Sequence, residues 1–134
     1  MRNFRIIITA LPGSWQKMIQ RNLEKQHSVN VVGIAQGSLS ALQMAREHHP
    51  DLLLIDSAIP SNDAIALIQT MKQEKPKTRS IVITDTTQQR RRFIRAGADY
   101  TLLSFNFDSQ ISEILNQLQG ILIDEAEGTE SSLE

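Results

Sequence analysis

Five times along this chain a short run of β-branched and aliphatic residues is followed by a longer segment whose apolar residues recur at helical spacing. Phe4 to Ala10 is a continuous apolar run suited to a strand covered on both faces. Pro12-Gly13-Ser14 breaks it before Trp15, Met18, Ile19 and Leu23 line one helix face. Asn30 to Ala35 forms the second strand. Gly37-Ser38 turns the chain into a helix carrying Leu39, Leu42, Met44 and Ala45, which ends near His48. Asp51 to Asp56 is the most hydrophobic strand and ends on a carboxylate. A loop through Pro60 leads to a helix from about Asn62 to Gln73, with Ile65, Leu67, Ile68 and Met71 as its stripe. Ser80 to Thr84 precedes a short basic helix with Phe93 and Ile94, stopped by Gly97. Tyr100 to Leu103 is the fifth strand, and Asp108 or Ser109 is placed to cap a last helix carrying Ile111, Ile114, Leu115, Leu118 and Leu122. Repetition of strand then helix through five cycles implies a parallel sheet wound on both faces by right-handed crossovers. Ligand chemistry is then expected at the carboxyl ends of the strands.

A length of 134 residues suits one domain, expected over 1–123, with an acidic, flexible tail or linker over 124–134. Aromatic residues make up only 4% of the chain, so the core must come from Ile, Leu, Val and Ala. Fourteen basic and fifteen acidic side chains leave a formal charge of −1, which offers no global field for nucleic acid or an anionic membrane. Without cysteine there is neither a disulfide framework nor a thiol nucleophile. No apolar run approaches a bilayer span and no signal-peptide pattern opens the chain, so a cytoplasmic location is expected.

The strand ends carry Pro50-Asp51-Leu52-Leu53-Leu54-Ile55-Asp56, then Pro60, then Ile81-Val82-Ile83-Thr84, then Ala96-Gly97-Ala98-Asp99. In order and spacing these motifs resemble the receiver domain of two-component response regulators, from about Phe4 to Ile123. The resemblance implies a flavodoxin-like (βα)5 fold with strand order 2-1-3-4-5. It makes Asp56 the phospho-acceptor position and Thr84 the switch hydroxyl. The family also uses Mg²⁺, held by acidic residues after the first strand, and a lysine after the fifth, because a carboxylate attacking a phosphoryl group faces like-charge repulsion.

Those partners are substituted in this chain. Thr9 and Ala10 stand where the acidic pair aligns, and Ser104 stands where the lysine aligns. The aromatic of the fifth strand falls at Tyr100 rather than Thr101, and an offset of one residue in a strand points a side chain to the opposite face. The expected reading is a degenerate receiver, a pseudo-receiver without a resident cofactor. Asp56 is then a strand-end carboxylate satisfied by neighbouring N–H groups or by Thr84. Asp85 is the candidate substitute acid, and Mg²⁺ at Asp56 belongs only to the alternative in which Asp56 works as an acceptor.

Arg90, Arg91, Arg92 and Arg95 put several positive charges on the fourth helix, a surface that the resemblance marks, with Tyr100, for partners or dimerisation. A solvated helix face explains the same pattern. If the cluster binds anything, an acidic partner surface or the acids Asp124, Glu125 and Glu127 suit it better than DNA. Adjacent His48 and His49 point different ways and have no third ligand, so a helix-terminal charge role is preferred over metal. Trp15 is read as packing against the loop before it, with an exposed partner anchor as the alternative. Leu11-Pro12-Gly13-Ser14 makes a poor flavin phosphate loop, and no triad, paired-carboxylate or glycine-rich nucleotide signature supports an enzyme. The expected function is protein-protein contact in signal transduction without phosphate, as a homodimer or with an output domain of its own. The alternative is a phosphorelay receiver served by a histidine kinase and regulating a C-terminal DNA-binding output domain not contained in these residues.

Overall fold

In the computed structural model, which describes the backbone of residues 3–133 and the side chains of 3–120, all five apolar runs are strands of one sheet. They are β1 Phe4–Thr9, β2 Val29–Ala35, β3 Leu52–Ile55, β4 Arg79–Thr84 and β5 Tyr100–Leu103. All pairings are parallel, in the order β2-β1-β3-β4-β5. Between them run α1 Ser14–Glu24, α2 Ser38–His48, α3 Ser61–Glu74 and α4 Thr87–Ala96, with α5 Phe107–Leu133 closing the chain. Neighbouring parallel strands need a crossover between them, and α1 to α4 supply the four.

Strand alternation divides the core into two layers. Ile6, Ile8, Leu52, Leu54, Ile81, Ile83 and Leu102 pack against Ile19 and Leu23 of α1 and against Phe107, Ile111, Leu115 and Leu118 of α5. Ile7, Leu53, Ile55 and Val82 face the other way, onto Ala41 and Ala45 of α2, Leu67, Ile68 and Met71 of α3 and Phe93 of α4. Full burial of each such aliphatic side chain contributes about 1.5–3 kcal/mol. β2 is an edge strand, and only Ala35 of it is buried. An irregularity between Ile6 and Ile7 shifts its register, and Gly33 there lies under Met44, whose Sδ would stand 3.0 Å from an added Cβ.

Several element ends differ from the sequence reading. β3 stops at Ile55, so Asp51 and Asp56 bracket it rather than belonging to it. Asp51 Oδ2 accepts from Arg5 N at 2.8 Å, which replaces a ladder bond at that end. A 3₁₀ turn over Ser104–Asn106 brings Phe107 into the core, where it is 1% exposed, and α5 starts on that residue. Asp108 therefore sits in the first helical turn and not at the cap, where its charge suits the helix dipole and its Oδ1 accepts from Asn22 Nδ2 at 2.6 Å. The backbone of α5 continues helically to Leu133, and the expected boundary at 123 and acidic tail fall on side chains outside the described residues.

α4 is capped at both ends, the Gly97 stop as expected from the sequence. Thr86 Oγ1 accepts from Gln89 N at 3.2 Å, and Gly97 closes the helix with φ 108°. A Cβ at Gly97 would lie 2.5 Å from Lys72 Cε, the movable end of an exposed side chain, so the strain there is conformational. Gly97→Ala should therefore lower unfolding stability by about 1–2 kcal/mol, measurable as a shift of the urea midpoint at unchanged slope.

Candidate functional site

The carboxyl ends of β1, β3, β4 and β5 converge at one edge of the sheet. They bring together Ala10, Asp56, Asp85 and Ser104, which are far apart in sequence. Asp56 N donates to Thr9 O at 2.9 Å, extending the ladder one residue beyond β3 and pinning the aspartate backbone. The side chain of Asp56 is 5% exposed. Its Oδ1 accepts from the indole Nε1 of Trp15 at 2.7 Å and its Oδ2 from Ala58 N at 3.3 Å. The carboxylate is thus satisfied by two neutral N–H donors, one of them from a side chain 41 residues away in sequence.

Trp15 reaches that position for local reasons. Gly13, with φ 151°, turns the chain sharply out of β1 and into α1. Gln16 Nε2 donates to Ala10 O at 2.8 Å, which ties the first turn of α1 back to the strand end. The indole then packs edge-on against Phe107, with ring centroids 5.8 Å apart and planes at 65°. Trp15 therefore packs on Phe107 of α5, whereas its sequence position suggested the loop before it, and also serves as a hydrogen-bond donor to the candidate acceptor. No local sequence signal announces that second role.

Thr84 does not serve Asp56. It is fully buried, and its Oγ1 donates to the carbonyl of Leu102 on β5 at 3.2 Å. Thr9 and Ala10 are also fully buried. Ala10 belongs to the layer of Ile6 and Ile8, which Trp15 joins, whereas alternation turns Thr9 to the opposite layer. Thr9 Oγ1 has no hydrogen-bond partner among the described residues. Asp85 is exposed and bridges two loops. Its Oδ1 accepts from Ser104 Oγ at 2.8 Å and its Oδ2 from Ser57 Oγ at 3.0 Å. Ser104 therefore acts as a neutral donor to a neighbouring acid at the position where the resemblance places a lysine. Trp15, Asp56, Ser57, Asp85, Ser104 and Phe105 line a pocket of about 420 Å³. Among the described residues no group of three or more His, Asp or Glu side chains is arranged to hold a metal ion.

The arginines of α4 split by role. Arg90 Nε donates to Thr101 Oγ1 at 3.1 Å and Arg92 Nη2 to Asn62 Oδ1 at 2.8 Å, while Arg91 and Arg95 are exposed. Tyr100 does not join this surface, because strand alternation turns it onto the α1 and α5 layer, where it packs partly buried. The tail acids Asp124, Glu125 and Glu127 lie outside the described side chains. His48 offers its backbone carbonyl to Arg5 Nη2 at 2.9 Å, and His49 ends α2 in a left-handed conformation with Nδ1 2.7 Å from Lys75 Nζ.

Residues 14–127 match the family model described as the response regulator receiver domain. The chain is 27% identical over 111 residues to the probable C4-dicarboxylate response regulator DctR of Priestia megaterium, covering 81% of this chain and 48% of that protein. It is 27% identical over 107 residues to the chemotaxis protein CheY of Bacillus subtilis, covering 78% and 88%. It thus spans about half the length of the first of these relatives and most of the second. Among solved structures, the receiver domain of the response regulator AraT from Geobacillus stearothermophilus superposes with TM-score 0.79 at 23% identity, covering 92% of this chain and 98% of that one. That likeness is one of fold.

Two substitutions test this geometry. Trp15→Phe keeps the ring against Phe107 and removes the indole donor, which should destabilise the domain by about 1–3 kcal/mol through a buried carboxylate oxygen left unpaired. Thr84→Val should cost about 0.5–1.5 kcal/mol by the loss of its bond to Leu102. Both are read by circular dichroism in urea, and equal stability of Trp15→Phe and wild type would contradict the role assigned to the indole.

Proposed function

The chain belongs to the response regulator receiver family, and from that membership we propose that this receiver signals by protein-protein contact without phosphate on Asp56. The observation that carries the reading is the 2.7 Å bond from Trp15 Nε1 to Asp56 Oδ1. Phosphoryl transfer to a carboxylate needs positive charge to offset the repulsion between two anions. Here a neutral indole occupies one acceptor oxygen, Ser104 stands at the lysine position, and Thr9 and Ala10 bring no carboxylate.

The donor set fits Mg²⁺ poorly. That ion asks for near-octahedral oxygen ligands and is bound through one or two carboxylates with its waters. Of the residues lining the pocket only Asp56 and Asp85 are carboxylates, and Thr9 and Ala10 stand where the acidic pair that would complete the oxygen set aligns. Thr9 Oγ1, though unpartnered, lies in the layer away from Trp15. One observation favours the rival reading of a phosphorylatable receiver: Asp85 lines the same pocket as Asp56 and could act as the substitute acid.

In either reading the domain is non-enzymatic and works on another protein surface. We assign that role to a second copy or to an output domain, with a histidine kinase needed only by the rival. Among the described residues no helix is long and apolar enough to cross a membrane.

Trp15 is the single tryptophan and reports directly on Asp56. Mg²⁺ with beryllofluoride should leave its fluorescence and its indole NMR signal unchanged, and acetyl phosphate should give no acid-labile label. A saturable Mg²⁺ response, or labelling that disappears in Asp56→Asn, would establish the rival instead.

A further inference from the structure

We propose that the pocket over Asp56 binds an arginine side chain presented by a partner protein, a guanidinium in place of metal and phosphate. The inference rests on the phosphate-independent reading of this site.

Of the six lining residues, Asp56 and Asp85 are carboxylates, Ser57 and Ser104 are hydroxyls, Trp15 and Phe105 are aromatic rings, and none is cationic. The donors to both carboxylates are neutral: an indole and a backbone N–H on Asp56, and two serine hydroxyls on Asp85. The ion pairs described elsewhere join Arg46 to Glu74 and join Lys72 and Arg79 to Asp99, so they reach neither acid of the pocket. Two carboxylates therefore share one pocket with no cationic partner among the described residues.

The rings select the kind of cation. A cation is drawn to aromatic faces, and a guanidinium is weakly hydrated, stacks on rings and donates in its plane to carboxylates. A volume of about 420 Å³ suits an organic group rather than a bare ion. The surroundings select the source. Phe105 is 76% exposed and Leu11, on the loop after β1 at the same end of the sheet, is 48% exposed. Phe105 lines the pocket and is largely exposed, so residues flanking an arginine in a protein segment would cover its apolar surface and a free amine would not.

The test uses the whole ¹⁵N-labelled chain and the indole resonance of its single tryptophan. Three probes are titrated: a capped Leu-Arg-Phe peptide, the same peptide with citrulline for arginine, and agmatine. The arginine peptide should shift the indole signal saturably, and agmatine should bind on the order of tenfold more weakly because it leaves the apolar surface of Phe105 uncovered. The uncharged citrulline peptide should give no shift. Asp85→Asn and Phe105→Ala should each weaken the arginine peptide on the order of tenfold. Phe105 is largely exposed, so its variant leaves the core intact and keeps the test valid if Asp85→Asn disturbs the loops. No shift with any probe, or an equal shift with citrulline, overturns the proposal. Agmatine binding as tightly as the peptide overturns the assignment to a protein partner. A parallel Mg²⁺ and beryllofluoride titration separates the two readings: a response there removes the phosphate-independent one, whereas silence in both titrations removes only arginine recognition.

Discussion

Ile6, Ile7 and Ile8 of β1 and Leu52 to Ile55 of β3 are each at most 1% exposed, which requires helices on both faces of the central strands. A parallel sheet covered in this way has no solvent face on which polar side chains can be displayed, so its chemistry collects at the carboxyl ends of the strands. The two layers, α1 and α5 on one side and α2, α3 and α4 on the other, follow from strand alternation. The position of Asp56 depends on this arrangement, because its backbone N–H is held by Thr9 on the neighbouring central strand.

At that edge the two carboxylates are met by neutral donors. Asp56, 5% exposed, is satisfied by the Trp15 indole and the Ala58 amide. Asp85 is satisfied by Ser57 and Ser104. Neutral donors meet the hydrogen-bonding needs of the carboxylates without cancelling their charge, which preserves the fold while leaving the pocket electrostatically open to a cation. The edge-on contact of Trp15 with Phe107 couples this arrangement to the anchoring of α5, since Phe107 is the first residue of that helix.

Much of this could be read from the residues. The five apolar runs, the Gly97 stop and the substitutions at Thr9, Ala10 and Ser104 all lie in the linear order of side chains. Periodicity fixes which residues of a strand share a face, so the separation of Tyr100 from the α4 arginines also follows from counting by twos. The start of α5 was less accessible: Asp108 and Ser109 look like caps, but burial of Phe107 outweighed local propensity and moved the helix start forward.

The sequence by itself determined the α/β class, the parallel winding, the aliphatic core and the uncharged side chains of Thr9, Ala10 and Ser104 at the strand ends, because each depends on composition and spacing along the chain. Only the tertiary structure decided which groups meet at those ends. Trp15 donates to an acid 41 positions away, Thr84 turns to Leu102 instead, and Ser57 and Ser104 meet on Asp85 from two different loops. The physical reason is that these hydrogen bonds join residues from separate crossovers, and their distances and angles exist only once the sheet has aligned the strand ends.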